Sequence, residues 1–541
     1  MNHRFIKLLL LLIISVSALQ SLADENQVTS PNFIVIVLDD FGWSSLSISM
    51  DNRFPNAKSD YYETPNINKI LNRGIRFSNG YASSPVCSPT RYSIQFGKDP
   101  ASLGRTRGLG PNRVDHDQVG IAQVLKAVNK NYKTAHFGKW HIDADPSQYG
   151  YDYHDGQTGN KEGGFDNSKN NRQWVGYASK DPKLVNQLTS RTVEFIRTSV
   201  AEKKPFFVQL SHYAVHSDIV YSKNSFDRLS GQKKGVIHQD QGFAAMVYDL
   251  DKSIGGLLDV YDELNLNDNT YLMLVSDNGG IPVLPQQVNL GRPYKMGLNY
   301  PLLRGKWDLL EGGIRIPFAA MGPGVESNTQ SDIPVITHDI LPTIADLANA
   351  YDLKPDGING VSIKKLFFNP KSQLHREPNF LIFHYPHYNR VGIRTSSGIS
   401  YHNFPSRDSA NIDTANGYIM VFTVDPVTNK SVLRINGIES TVQHTYNIDY
   451  VIGSTKSTGD NSSVATTNPG GLIITLESNS TAAETTGIID ASTGASLVAL
   501  STDYTTNTAY TTQTYAHTMV ERTDVRSVSY THLTLPTICS V

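Results

Sequence analysis

Six consecutive apolar residues, Phe33-Ile-Val-Ile-Val-Leu38, run without a break into a pair of aspartates, Asp39-Asp40. A strand that is apolar at every position has to be covered on both faces. That is the situation of an inner strand in a parallel sheet with helices above and below. Largely apolar runs recur at residues 205–210, 271–275 and 316–321, and 132–137 can form a further strand. Helical patterns lie between them, at 66–73, 119–128 and 243–264. Strands alternating with helices predict an α/β domain with a largely parallel sheet. In such sheets the chemistry gathers beyond the carboxyl ends of the strands. Asp39-Asp40 and Asp277-Asn278 both fall there.

With 541 residues the chain has room for more than one domain, and 48 lysines and arginines balance 50 acids. The formal net charge of −2 supplies no field to attract nucleic acid or a membrane surface. An anionic ligand therefore has to be held by a few placed cations. Residues 1–23 have the layout of a secretory signal peptide: Arg4 and Lys7, an apolar run over 8–16 broken by Ser15, then Ser21-Leu22-Ala23. A periplasmic or secreted protein is expected, with no other stretch long enough to span a membrane. The only two cysteines are Cys87 and Cys539, too few for a disulfide framework. A lone thiol in an oxidising compartment has to be buried or converted.

The character of the chain changes after about residue 395. Residues 396–527 are rich in threonine, serine, asparagine and glycine, with short alternating apolar runs. They predict a β-rich C-terminal region, in the manner of a sandwich appended to a catalytic domain over 31–395. Residues 421–439 faintly resemble concanavalin-type jelly rolls, which leaves a β-spacer and a sugar-binding module both open. Residues 528–541 resemble the translation of a sequencing adapter and are set aside from the fold.

Cys87-Ser-Pro-Thr-Arg91 carries the chemistry. Pro89 suits the first turn of a helix, which places residue 87 at a helix amino terminus, where free N–H groups favour an anion. Arg91, about one turn on, can brace the nucleophile or nearby carboxylates. Around this string stand, in order, Asp39-Asp40-Phe-Gly-Trp43, Thr64-Pro-Asn-Ile67, Gly74-Ile-Arg-Phe77, Gly138-Lys-Trp-His141, Gly150-Tyr-Asp152, Ser276-Asp-Asn-Gly-Gly280, Lys306, Glu311-Gly-Gly-Ile-Arg-Ile-Pro317 and Thr337-His-Asp-Ile-Leu-Pro-Thr343.

This ordered set resembles the type I, formylglycine-dependent sulfatases from residue 31 to about 368. The resemblance implies the alkaline-phosphatase-like α/β/α sandwich with a large mixed, mostly parallel sheet. It implies that a maturation enzyme oxidises Cys87 to formylglycine. It also implies Ca²⁺ held by Asp39, Asp40, Asp277, Asn278 and the modified residue 87, an all-oxygen set suited to a hard cation. Lys139 and Lys306 match the lysines that hold the sulfate oxygens. His141 matches the histidine beside the formylglycine hydroxyls, and His216 the one that protonates the leaving alcohol. At His216 the pattern departs: the family commonly has proline before this histidine and another histidine two residues after it, where this chain has Val215 and Asp218. His212 is a neighbour that can be confused with it. The family's carboxyl-terminal subdomain begins to match at Val391-Gly-Ile-Arg394 and fades by Tyr401, which leaves His384, Tyr385 and His387 as candidate pocket residues. The resemblance implies hydrolysis of sulfate esters, of a small molecule or a glycan. A phosphomonoester or phosphonate monoester hydrolase on the same fold is the alternative, and an inactive carbohydrate-binding protein is a third possibility.

Overall fold

The structure, a computed structural model, describes residues 30–106, 116–165, 176–282, 297–302, 304–376 and 380–385, together with seven strand segments between 390 and 517. The sequence features at 1–23 and 528–541, and His387, lie outside the described residues.

The apolar run forms strand β1 (Asn32–Leu38), every residue of which is buried. The central sheet is completed by β2 (Ile75–Phe77), β3 (Lys133–Gly138), β4 (Tyr153–His154), β5 (Phe206–Ser211), β6 (Thr270–Ser276), β7 (Phe318–Met321) and β8 (Thr329–Ser331). Their spatial order is β8-β2-β7-β6-β1-β5-β3-β4. β1 lies at the middle, parallel to β5 on one side and to β6 on the other. Among these strands β7 alone runs against its neighbours. The sheet is therefore mixed and mostly parallel, as expected. β7 starts at Phe318 and not at residue 316, because Pro317 has no N–H to give to a ladder.

Side-chain alternation along β1 feeds two separate cores. Ile34, Ile36 and Leu38 point to one face, under helices α1 (Pro65–Arg73), α4 (Val185–Ala201) and α5 (Gln241–Glu263). Phe33, Val35 and Val37 point to the other, under α2 (Cys87–Phe96), α3 (Ile121–Val128) and α6 (Ile340–Leu347). Each fully buried aliphatic or aromatic side chain of this kind contributes about 1.5–3 kcal/mol. The result is the three-layer sandwich of the alkaline-phosphatase-like fold. Among the described residues no helix is long and apolar enough to cross a membrane.

A second sheet begins with β9 (Leu381–Tyr385), β10 (Arg390–Thr395) and β11 (Gly398–Asn403). It runs on through five further strands to Thr512–His517, each antiparallel to the one before it in the chain. The described strands of this part of the chain thus form one antiparallel meander, which begins at Leu381. Leu381, Phe383 and Tyr385 pack with Tyr81 and Val86, so β9 lies behind the loop that leads into Cys87.

Parallel pairing brings the carboxyl ends of β1, β3, β5 and β6 to one edge, where close backbone approach matters. Gly138, the last residue of β3, has φ +95°, and a Cβ placed on it falls 1.9 Å from the Ser211 carbonyl oxygen. We expect Gly138→Ala to cost about 1–3 kcal/mol, from the φ and the clash together, and to displace Lys139. Chemical denaturation compared with the wild type checks this.

Candidate active site

The turn that ends β1 sends its two carboxylates to opposite halves of one buried volume. Asp39 receives Lys139 Nζ at 2.7 Å on Oδ2, and Arg91 Nη2 lies 3.9 Å from its Oδ1. Asp40 faces the other way and receives Lys306 Nζ at 2.7 and 2.8 Å on its two oxygens. Asn278 Nδ2 also donates to Asp40 Oδ1, at 2.8 Å. At the end of β6, Asp277 Oδ2 accepts Arg91 Nε at 2.9 Å and pairs with Nη2 at 2.8 Å. Its Oδ1 accepts the Asp40 amide at 3.1 Å. The relative exposures of Asp39, Asp40, Asp277 and Asn278 are 0–2%.

Cys87 is the first residue of α2, with Val86 extended before it as the cap. Its N-terminal position follows from the local sequence, since Pro89 stands where its missing amide hydrogen costs nothing. Burial pushes the Cys87 thiol above its ordinary range, although Lys139 and Lys306 pull it down. Burial is the strongest single influence on Arg91 and Lys306 and acts against their charge, but the surrounding anions together, Asp277 and Asp39 for the first and Asp40 and Asp39 for the second, outweigh it and raise both groups.

Two histidines close the site. The amide of His141 is held by the Thr158 carbonyl at 2.7 Å, its own carbonyl accepts Ser88 Oγ at 3.0 Å, and its Nδ1 has no hydrogen-bond partner. Burial first, then Lys139 and Arg91, hold it well below the usual histidine value. His216 lies with Nε2 3.8 Å from Asp40 Oδ2, and its Nδ1 is 3.2 Å from the Ser217 carbonyl. It too is held well below the usual value, by burial and then by Lys306, Lys139 and Lys183. His212 is different: it is fully buried at the end of β5 and neither ring nitrogen has a partner. The structure thus brings His216 to the carboxylates and leaves His212 in the core.

All ten residues singled out in the sequence, Asp39, Asp40, Cys87, Arg91, Lys139, His141, His216, Asp277, Asn278 and Lys306, therefore sit around one volume at the carboxyl edge of the sheet. Tyr385 instead packs in the apolar cluster behind the Cys87 loop, and His384 is half-buried on β9. Two neighbours gave no signal in the sequence. Lys183 is buried, and its Nζ donates to the carbonyls of Gly163 and Ser217. Trp307 is 43% exposed, with Lys306 Nζ 5.2 Å from its ring centroid and its own amide given to the Pro85 carbonyl.

The donor set fits a hard cation. One oxygen each of Asp39 and Asp40 and a ring nitrogen of His216 lie within 4.8 Å of one another. Asp39 Oδ1 and Asn278 Oδ1 are buried and have no hydrogen-bond partner, a costly arrangement for oxygens that bind nothing. Carboxylate and amide oxygens are ligands for Ca²⁺ or Mg²⁺ more than for zinc.

A candidate nucleophile at a helix amino terminus, two ammonium groups and a carboxylate cradle define a site for an anionic ester on an alkaline-phosphatase-like scaffold. The chain belongs to the sulfatase family, whose sequence profile matches residues 31–350. An ulvan-active sulfatase of Formosa agariphila is 25% identical over 391 residues, covering 66% of this chain and 69% of that protein. The N-acetylgalactosamine-6-sulfatase of Mus musculus is 28% identical over 323 residues, covering 54% of this chain and 58% of its own length. The match thus spans little more than half of that mammalian relative. Among solved structures, Ps i-CgsB in complex with k-i-k-neocarrahexaose is 25% identical, with a TM-score of 0.54 over 69% of this chain and 84% of that one. A phosphonate monoester hydrolase of Agrobacterium radiobacter, 15% identical with a TM-score of 0.51 over 69% of this chain and 87% of that one, shares the fold.

Burial pushes His212 from 6.5 down to about 3, so the folded state binds its proton less readily than the unfolded chain. Its contribution to stability is complete above 6.5 and is lost as pH falls towards 3. We expect His212→Leu to flatten the acid limb of the stability curve in that window by up to about 1.4 kcal/mol per pH unit, one proton's worth. Urea unfolding across the window measures it.

Proposed function

We propose that this protein is a calcium-dependent sulfuric ester hydrolase that cleaves a sulfated carbohydrate to the alcohol and inorganic sulfate, using a formylglycine made from Cys87. The observation that carries the reading is Cys87 at a helix amino terminus, in the field of the Lys139 and Lys306 ammonium groups, which are themselves paired with the buried carboxylates Asp39 and Asp40. As a plain thiol, raised by burial, Cys87 is a poor nucleophile. Oxidised by a maturation enzyme to formylglycine, residue 87 supplies in its hydrate one hydroxyl for attack and a second through which sulfate is released. Asp39, Asp40, Asp277, Asn278 and residue 87 would hold Ca²⁺, which supplies Lewis-acid polarisation of oxygen.

This chain's own side chains do the rest. Lys139 and Lys306 hold the sulfuryl oxygens and offset their charge. Arg91 keeps Asp277 in place through Nε and Nη2. His141, with Nδ1 unpartnered, takes a proton beside residue 87. His216 gives a proton to the departing alcohol from Nε2. Burial first, and then the lysines that hold the anion, lower His216; a negatively charged ester beside those lysines offsets their part and so favours the proton on the ring. The names of the relatives, an ulvan-active sulfatase and N-acetylgalactosamine-6-sulfatases, support a sulfated glycan as substrate, and the signal-like residues 1–23 support export.

Two measurements test this. Produced together with a maturation enzyme, the protein should yield a Cys87 peptide lighter than the thiol form and reactive towards hydrazines. It should release sulfate from sulfated oligosaccharides, and Cys87→Ala should abolish that release. Full activity with an unmodified thiol sinks the formylglycine assignment. Phosphate or phosphonate monoesters turned over faster than sulfate esters across several leaving groups would assign the site to the alternative chemistry. Separately, chelation should remove activity, and Asp277→Ala should lower kcat/KM by about a thousandfold, the worth of several kcal/mol of charge stabilisation, while the domain stays folded. Turnover that survives exhaustive chelation rules out the calcium reading.

A further inference from the structure

Lys183 stands in the loop before α4, in a stretch, Ser179-Lys-Asp-Pro-Lys-Leu184, that looks like ordinary solvated surface. It is 3% exposed. Its backbone has φ +53° and that of Leu184 +58°, a left-handed pair that turns the lysine side chain inward. The ammonium donates to the Gly163 carbonyl at 3.0 Å and to the Ser217 carbonyl at 2.8 Å.

Both acceptors belong to segments that hold the ring of His216. The Ser217 carbonyl is also the partner of His216 Nδ1, at 3.2 Å. Phe165, two residues beyond Gly163, packs edge-on against the His216 ring, with centroids 5.2 Å apart and planes at 88°. One ammonium therefore fixes the hydrogen-bond partner of the ring and, through the neighbouring chain, the side chain that packs against it.

The chemistry of the partner decides which nitrogen is free. A carbonyl only accepts, so a bond to Ser217 requires the hydrogen on Nδ1 and leaves Nε2 facing Asp40 Oδ2. The Ser217 hydroxyl, 3.4 Å from the same Nδ1, can donate or accept and would allow either tautomer. Whichever group holds the carbonyl in place therefore selects the tautomer. Burying an ammonium costs several kcal/mol. A methionine of similar length would fill the space without that cost, so packing alone does not account for a lysine here.

We propose that Lys183 is a positioning residue for the reaction: by pinning the Ser217 carbonyl and the segment through Gly163 and Phe165, it holds His216 with Nδ1–H committed to that carbonyl, so that Nε2 is the nitrogen that takes up the second proton and passes it to the departing alcohol, the ring returning to its neutral Nδ1–H form. This rests on the sulfatase reading and on His216 as the proton donor. A group that positions an acid matters in proportion to how much the leaving group needs the proton. A merely structural tie matters equally for every substrate.

The test uses matured, metal-loaded protein and sulfate esters graded from sugar alcohols to nitrophenol. Lys183→Met should lower kcat on sugar sulfates by about a hundredfold and on nitrophenyl sulfate by less than about tenfold, with KM within about twofold. Lys183→Arg should fall between it and the wild type on sugar sulfates and match the wild type on nitrophenyl sulfate. If the methionine variant does not fold, the arginine variant decides by the same criterion. Equal losses across the series, or a change confined to KM, overturn the proposal. Ring ¹⁵N spectra of His216, assigned by difference from His216→Gln, read the tautomer without turnover: Nδ1–H in the wild type and a mixture in the variant. Should the wild type hydrolyse no sulfate ester, it is the functional reading that fails. The spectra then decide this one, and an unchanged tautomer in the variant refutes it.

Discussion

Three carboxylates and three cations share one buried volume at the carboxyl edge of the sheet, and the arrangement of the chain depends on keeping them balanced. Asp39, Asp40 and Asp277 are at most 2% exposed, and Arg91, Lys139 and Lys306 at most 5%. An unpaired ion at such depth costs several kcal/mol even after relaxation, so removing any one leaves its partner expensive. The six come from the ends of β1, β6 and β3, from α2, and from the loop before residue 311. No element can dock alone without stranding a charge, which ties assembly of the sandwich to assembly of the site. The register of β1 against β5 and β6 sets the geometry, by bringing Leu38 level with Ser276 and Val37 level with Ser211.

That balance also explains why a nearly neutral chain can attract an anion. The six formal charges sum to zero, and each lysine is engaged by an aspartate. On the proposed function, a divalent cation held by the carboxylates and Asn278 would bring the local sum to about +2 and free the ammonium groups for a negatively charged ester. The field would then be local and set by the metal, in keeping with a chain whose overall charge is only −2.

Much of this could be read from the residues alone, because burial on both faces leaves a direct mark. Wholly or largely apolar runs announced β1, β5 and β6, and the acids that follow two of them announced the cradle. The direction of β7 could not be read, since an apolar run of four residues looks alike whichever way it points. β2, β4 and β8, of two or three residues each, are too short for any pattern. Lys183 was invisible for a different reason: its partners are main-chain carbonyls, which leave no trace in side-chain identity. His216 was legible only through its neighbours, and its ambiguity with His212 was resolved by geometry, four residues being enough to carry the ring from the core to the carboxylates.

Backbone conformation at the site supplies the last constraint. Asp40, His141, Lys183 and Trp307 all have positive φ, at 56°, 58°, 53° and 71°. For residues with a Cβ this costs on the order of 1–2 kcal/mol each. Strain of that kind persists where other contacts over-determine it, and the amides here show how. Asp40 N is held by Asp277 Oδ1, His141 N by the Thr158 carbonyl and Trp307 N by the Pro85 carbonyl. In each case the strained amide donates to another segment of the site, so the segments and the strained residues fix one another. The consequence is clearest at the end of β1. Two successive aspartates in extended backbone would point to opposite faces of the sheet. The left-handed turn at Asp40 instead keeps both carboxylates beyond the strand end, one on the Lys139 side and one on the Lys306 side. A single pair of adjacent residues can therefore serve both halves of the site.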